Sequence, residues 1–93
     1  MRVLVIDDDP LTRRLLVSIL VRDFRASTME AEDGVQGLAL LGSEPFDLVL
    51  LDLEMPLLDG EGVLTAMRAS PELRTVPVVV LSGVREDHRV RGV

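Results

Sequence analysis

Four consecutive apolar residues, Leu48–Leu51, run directly into Asp52, and a turn carrying Pro56 and Asp59-Gly60 follows. A short apolar run bounded by turn residues reads as a buried strand. Such a strand ends by lifting one carboxylate out of an apolar core. At that mouth Asp52 can act as a nucleophile, a metal ligand or a helix cap. The rest of the chain has to choose among these.

Taken in order, the sequence alternates strand and helix. Arg2–Ile6 is a short Val- and Ile-rich strand that stops at Asp7-Asp8-Asp9-Pro10. Proline suits the first turn of a helix, so Asp9 or Asp8 precedes a helix over residues 10–22. Its inward face is Leu15, Leu16, Ile19 and Leu20, with Arg13, Arg14 and Arg22 mostly outside. Residues 25–29 form a more polar strand, suited to a sheet edge. Asp33-Gly34 opens a second helix, with Val35, Leu38, Ala39 and Leu41 apolar and Gly42 at its end. The central strand covers residues 47–52. A third helix over 61–69 offers Val63, Leu64, Ala66 and Met67, and Ser70-Pro71 stops it. Residues 76–81 form a fourth strand, apolar on both faces, ending in Ser82-Gly83; residues 85–93 begin a further helical or irregular segment.

This alternation predicts an α/β domain over residues 1–93, a doubly wound parallel sheet with right-handed crossovers. In such sheets ligands bind outside the carboxyl ends of the strands. Three of the four predicted strands deliver polar groups to that edge: Asp7, Asp8 and Asp9, then Asp52, then Ser82.

If the first and third strands are neighbours, Asp7, Asp8 and Asp52 crowd together, because adjacent strands lie ~4.8 Å apart. Two like charges at that distance repel by about 3 kcal/mol at an effective dielectric of ~20. A cation or a proton has to relieve them. An all-oxygen donor set without His or Cys suits Mg²⁺. A carboxylate beside such an ion can accept a phosphoryl group. Asp52, alone at its strand end, is the better nucleophile; Asp7 and Asp8 are the better ligands. Ser82 and backbone N–H groups around Met55 and Gly83 can donate to a phosphoryl group.

Composition removes other classes. The 93 residues carry a net charge of −6, which argues against direct nucleic-acid binding. There is no Cys, hence no disulfide or thiolate site, and no Trp or Tyr to stack on bases or sugars. No apolar run approaches the ~20 residues of a membrane span, so the cytoplasm is the expected compartment.

These pieces resemble the receiver domain of two-component response regulators. The matching stretches are VLVIDDDP (residues 3–10), AEDGVQGLALL (31–41), FDLVLLDLEMPLLDGEGV (46–63) and PVVVLSG (77–83), in family order and spacing. The resemblance implies a flavodoxin-like sheet of strand order 2-1-3-4. It implies that Asp52 takes phosphate from a sensor histidine kinase or phosphotransfer protein. Mg²⁺ would be held by Asp7, Asp8 and Asp52 with the Glu54 backbone carbonyl, and Ser82 would be the hydroxyl that contacts the phosphoryl group. The product would be a signalling phosphoprotein, not a metabolic enzyme.

The sequence also departs from the family. Receivers normally have a fifth strand, a last helix and a lysine that pairs with the phosphate, whereas all ten cationic side chains here are Arg. The expectation is a C-terminally truncated receiver. Its fourth strand, Val78, Val79, Val80 and Leu81, then becomes an edge that invites homodimerisation together with the C-terminal segment. A competing reading is a degenerate receiver that works only as an interaction or dimerisation module. A third is a phosphatase of the haloacid dehalogenase type using Asp7-x-Asp9. Asp9 alone reads as a helix cap, and His88, Arg85, Arg89 and Arg91 read as solvated surface.

Overall fold

The computed structural model describes residues 1–81. Its elements are β1 (Arg2–Ile6), α1 (Pro10–Phe24), β2 (Ser27–Ala31), α2 (Gly34–Ser43), β3 (Leu48–Leu51), α3 (Gly60–Ala69) and β4 (Val78–Val80). The strands make one parallel sheet in the order β2-β1-β3-β4, as the sequence led us to expect.

β1 and β3 take the centre because β3 throughout and β1 beyond Arg2 are apolar, and a strand covered on both faces needs such a run. Val3, Leu4, Val5, Ile6, Val49 and Leu51 are fully buried. The two-residue period of a strand divides them. Leu4, Ile6, Val49 and Leu51 pack with Leu41 of α2 and with Val63 and Met67 of α3. Val3, Val5 and Leu50 pack with Leu20 of α1 and with Ala26. Each large side chain so buried stabilises the fold by about 1.5–3 kcal/mol. Arg2 fastens the bottom of the sheet: its N–H donates to Asp47 Oδ2 at 2.7 Å and its Nε to the Pro45 carbonyl at 2.8 Å. That clasp holds the loop that leads into β3.

The structure corrects several local expectations. α1 runs two residues past 22 because no Gly or Pro interrupts Arg22-Asp23-Phe24. It stops where Arg25 turns left-handed, with φ 54. The Arg25 and Ala26 N–H groups then donate to the Val21 and Leu20 carbonyls, each at 3.1 Å. This closed cap delays β2, which starts at Ser27 rather than at residue 25. α1 meets the sheet through Leu16, Val17 and Leu20. Leu15, one residue off that line, is 61% exposed instead of buried.

α2 is rotated from its expected setting. Gly34, Gly37 and Leu41 face inward, while Val35 and Ala39 are exposed. A Cβ at Gly37 would lie 2.5 Å from Ile6 Cδ1. The helix therefore presses its own backbone onto β1, and close approach overrides side-chain hydrophobicity.

β4 is shorter than expected, and Val79 and Val80 are exposed. Among the described residues it has β3 as its one neighbour. The expectations for Ser82, Gly83, Arg85, His88, Arg89, Arg91 and the C-terminal segment lie outside the described residues.

Candidate functional site

Strand register assembles the acidic rim. Ile6 pairs with Leu51 in the β1–β3 ladder, so Asp7 and Asp52 leave the sheet side by side. The Asp52 N–H donates to the Ile6 carbonyl at 2.9 Å, and the Asp7 N–H to the Ala31 carbonyl at 3.1 Å. Ile6 and Leu51 face α2 and α3, so the next residue of each strand turns toward α1. There Asp7, Asp52, Thr12, Leu16 and Leu81 line a cleft of about 360 Å³.

Asp7 and Asp52 are only 2% and 3% exposed. One carboxylate oxygen from each of Asp7, Asp8 and Asp52 lies within 4.8 Å of the other two. Unit charges at that spacing repel by about 3 kcal/mol per pair at an effective dielectric of ~20. The sequence-predicted trio is thus brought together, and its electrostatics call for a cation. The donors are hard oxygens on short side chains, with no His or Cys in the trio, and this fits Mg²⁺ better than a softer metal.

Backbone donors hold two of the three carboxylates in place. Asp7 Oδ1 accepts from the Asp9 N–H at 2.9 Å, and Asp52 Oδ1 from the Glu54 N–H at 3.2 Å. Both are turns in which an Asp side chain bonds the backbone two residues on. Glu54 itself presents its side chain to solvent.

Asp9 belongs to the helix. Its carboxylate caps α1, accepting from the Leu11 N–H at 3.2 Å and from Thr12 Oγ1 at 2.6 Å. Asp9, the second acid of the Asp7-x-Asp9 pairing, thus caps the helix while lining the same cleft as Asp7 and Asp52. Ser82 lies outside the described residues.

The loop from β3 to α3 closes the third side. Asp59 caps α3 by accepting from the Gly62 N–H at 2.9 Å, and the Gly60 N–H donates to the Leu53 carbonyl at 3.0 Å. Leu57 in this loop has φ 68 and is 82% exposed. A left-handed backbone costs an ordinary L-residue roughly 1–2 kcal/mol, and Asn tolerates it better. Leu57→Asn is therefore expected to raise the unfolding free energy by about 0.5–1 kcal/mol. Urea denaturation at fixed Mg²⁺ measures it, and a lower midpoint contradicts the strain argument.

One residue of the site escaped the sequence reading. Arg13, expected mostly outside, has a side chain only 15% exposed. Its Nη1 donates to the Asp7 carbonyl at 2.7 Å and its Nε to Glu30 Oε1 at 2.9 Å. The available signal was its place one helical turn after the capping Asp9, since helical side chains lean back toward the N-terminus. Among the described residues no helix is long and apolar enough to cross a membrane.

Comparison with known proteins places this geometry. The family model described as the response regulator receiver domain matches residues 3–93. The chain is 36% identical over 83 residues to the chemotaxis protein CheY of Pseudomonas aeruginosa, covering 88% of this chain and 66% of that protein. It is 34% identical over 91 residues to a gliding motility regulatory protein of Myxococcus xanthus, covering 96% of this chain and 12% of that protein. Among solved structures, the signal receiver domain of a signal transduction histidine kinase from Syntrophus aciditrophicus superposes with a TM-score of 0.85 at 27% identity, covering 97% of this chain and 67% of that one. The chain thus spans at most 66% of the length of these two curated relatives.

Proposed function

The chain belongs to the response regulator receiver domain family of two-component signalling, and on that premise we propose that it accepts a phosphoryl group on Asp52 in a Mg²⁺-dependent reaction. The observation that carries this reading is the trio of buried Asp7 and Asp52 with half-buried Asp8, which brings one carboxylate oxygen from each to within 4.8 Å of the others. The donor would be a phosphohistidine on a sensor histidine kinase or phosphotransfer protein, and the expected compartment is the cytoplasm.

Asp7, Asp8 and Asp52 would hold the ion, with the Glu54 backbone carbonyl completing the protein's share as the family resemblance implies. When bound, Mg²⁺ supplies positive charge that offsets the carboxylates and the phosphoryl oxygens. An Asp52 carboxylate oxygen attacks phosphorus. The P–N bond to the donor imidazole breaks, its electron pair stays on nitrogen, and the product is an acyl phosphate on Asp52. The Glu54 N–H on Asp52 Oδ1 restrains the carboxylate and so limits the orientations to be lost before attack. Ser82 is proposed as the hydroxyl that contacts the transferred group.

Incubation with Mg²⁺ and phosphoramidate, read by intact mass, tests the proposal. The expected product is heavier by one phosphoryl group and is absent with EDTA or in Asp52→Ala. An Asp52→Ala chain that is modified to the same extent as the parent would overturn the assignment.

A second reading has its own support: the 93 residues contain no Lys, and the edge of β4 exposes Val79 and Val80. On that reading the domain is an interaction module, pairing with a second copy through Val78, Val79, Val80, Leu81 and the C-terminal segment. It predicts no phosphoryl adduct and a sedimentation mass that rises with concentration.

A further inference from the structure

We infer that Arg13 is a positioning residue for the metal site, acting by aiming the Asp8 carboxylate; the inference rests on the Mg²⁺ reading above. Arg13 reaches no carboxylate of the trio in the bonds described: its Nη1 donates to the Asp7 backbone carbonyl at 2.7 Å, and its Nε is anchored on Glu30 Oε1 of β2 at 2.9 Å. That carbonyl belongs to the Asp7–Asp8 peptide. The peptide unit is planar, so fixing its oxygen also fixes the Asp8 nitrogen and Cα. The preceding Ile6–Asp7 peptide is held as well, since its Asp7 N–H donates to the Ala31 carbonyl, so the Asp7–Asp8 unit starts from a fixed Asp7 Cα.

The arrangement matters at Asp8 more than at its partners. Asp7 and Asp52 emerge directly from paired strands, and ladder bonds set their backbones. Asp8 lies between β1 and α1, outside both elements. Its carboxylate joins the trio only if the peptide before it keeps one orientation. Arg13 is the α1 side chain that sets it, and Glu30 fixes Arg13 in turn. A guanidinium can serve both acceptors at once because its donors are splayed in a rigid plane. Lys has a single ammonium and cannot reproduce that reach.

Two other roles predict different results. A cation whose only effect is its charge opposes a dication, so its removal tightens Mg²⁺ binding. A purely structural staple between α1 and β2 lowers stability and leaves the affinity of the folded chain unchanged. The positioning role weakens Mg²⁺ binding, as loss of groups that orient metal ligands does.

The test is a Mg²⁺ titration of parent, Arg13→Met and Arg13→Lys, followed by ¹H–¹⁵N amide shifts, with folding checked by circular dichroism. The expected Kd rises about tenfold in Arg13→Met and by less in Arg13→Lys. In the metal-free proteins the Asp8 and Asp9 amides shift, while those of Val49 and Leu51 stay in place. An Arg13→Met chain that binds Mg²⁺ as tightly as the parent, or more tightly, overturns the inference. If that variant does not fold, Arg13→Lys decides by the same criterion. A parent that binds no Mg²⁺ instead sinks the metal reading itself, so the two failures are told apart by the parent titration.

Discussion

Asp52→Asn is expected to raise the stability of the metal-free protein by about 1–3 kcal/mol, even though it removes the proposed phosphoacceptor. The reason lies in the rim. Asp52 is 3% exposed and has carboxylate oxygens of Asp7 and Asp8 within 4.8 Å. Each like-charge pair at that spacing costs about 3 kcal/mol at an effective dielectric of ~20, and nearby polar groups offset part of it. Asn has nearly the same shape, and its Oδ1 can keep the bond from the Glu54 N–H. Repulsion therefore falls while the packing persists. The same change should shrink the stabilisation that Mg²⁺ confers. A ligand that binds only the folded chain adds RT ln(1 + [L]/Kd), about 2.7 kcal/mol at a hundredfold excess over Kd. Urea melts of parent and variant, each with EDTA and with Mg²⁺, measure both effects. A variant less stable than the parent in EDTA would show that the trio is not under electrostatic strain.

Gly60→Ala is expected to cost about 3 kcal/mol or more, a large fraction of the stability of a small domain. Gly60 opens α3 directly behind the site. A Cβ there would lie 2.5 Å from the Asp52 carbonyl oxygen and 2.6 Å from Leu53 Cα. Both are backbone atoms, so no side-chain rotation relieves the overlap. Either α3 moves away, losing the burial of Val63 and Met67, or the peptide after Asp52 moves and takes the carboxylate with it. Loss of Mg²⁺ affinity should therefore accompany loss of stability. Gly62→Ala serves as the control: the nearest atom there is Leu58 Cδ1, the tip of a flexible side chain, and the expected cost is about 1 kcal/mol or less. Equal denaturation midpoints for Gly60→Ala and parent would refute the backbone-contact argument.

These contacts explain why part of the site was visible in the sequence and part was not. Asp7, Asp8 and Asp52 were legible because each follows an apolar run, and the carboxyl ends of parallel strands share one edge of the sheet. The helix starts at Asp9 and Asp33 were suggested by neighbouring Pro or Gly, while Asp59 was read only as a turn residue; each accepts a backbone N–H at the head of its helix. The inward face of α2 was misjudged because hydrophobic periodicity weighs Val35 above Gly37. The real contact is backbone against Ile6, which a hydrophobicity pattern cannot register. Arg13 was assigned to solvent for a similar reason. Its partners are a carbonyl on β1 and a carboxylate on β2, and a backbone acceptor has no residue type to recognise.

By itself the amino-acid order determined the alternation of strands and helices and the acids at the strand ends, because apolar runs and turn residues are local signals that repeat with each element; the order of the strands was legible only through the family resemblance. The tertiary structure alone decided how α1 and α2 are rotated, where β2 begins and which cation steadies the Asp7–Asp8 peptide. Those features depend on the distance of closest approach between segments remote in the chain. That distance is set largely by backbone atoms, and a hydrophobicity pattern does not register it even where a glycine such as Gly37 permits the approach.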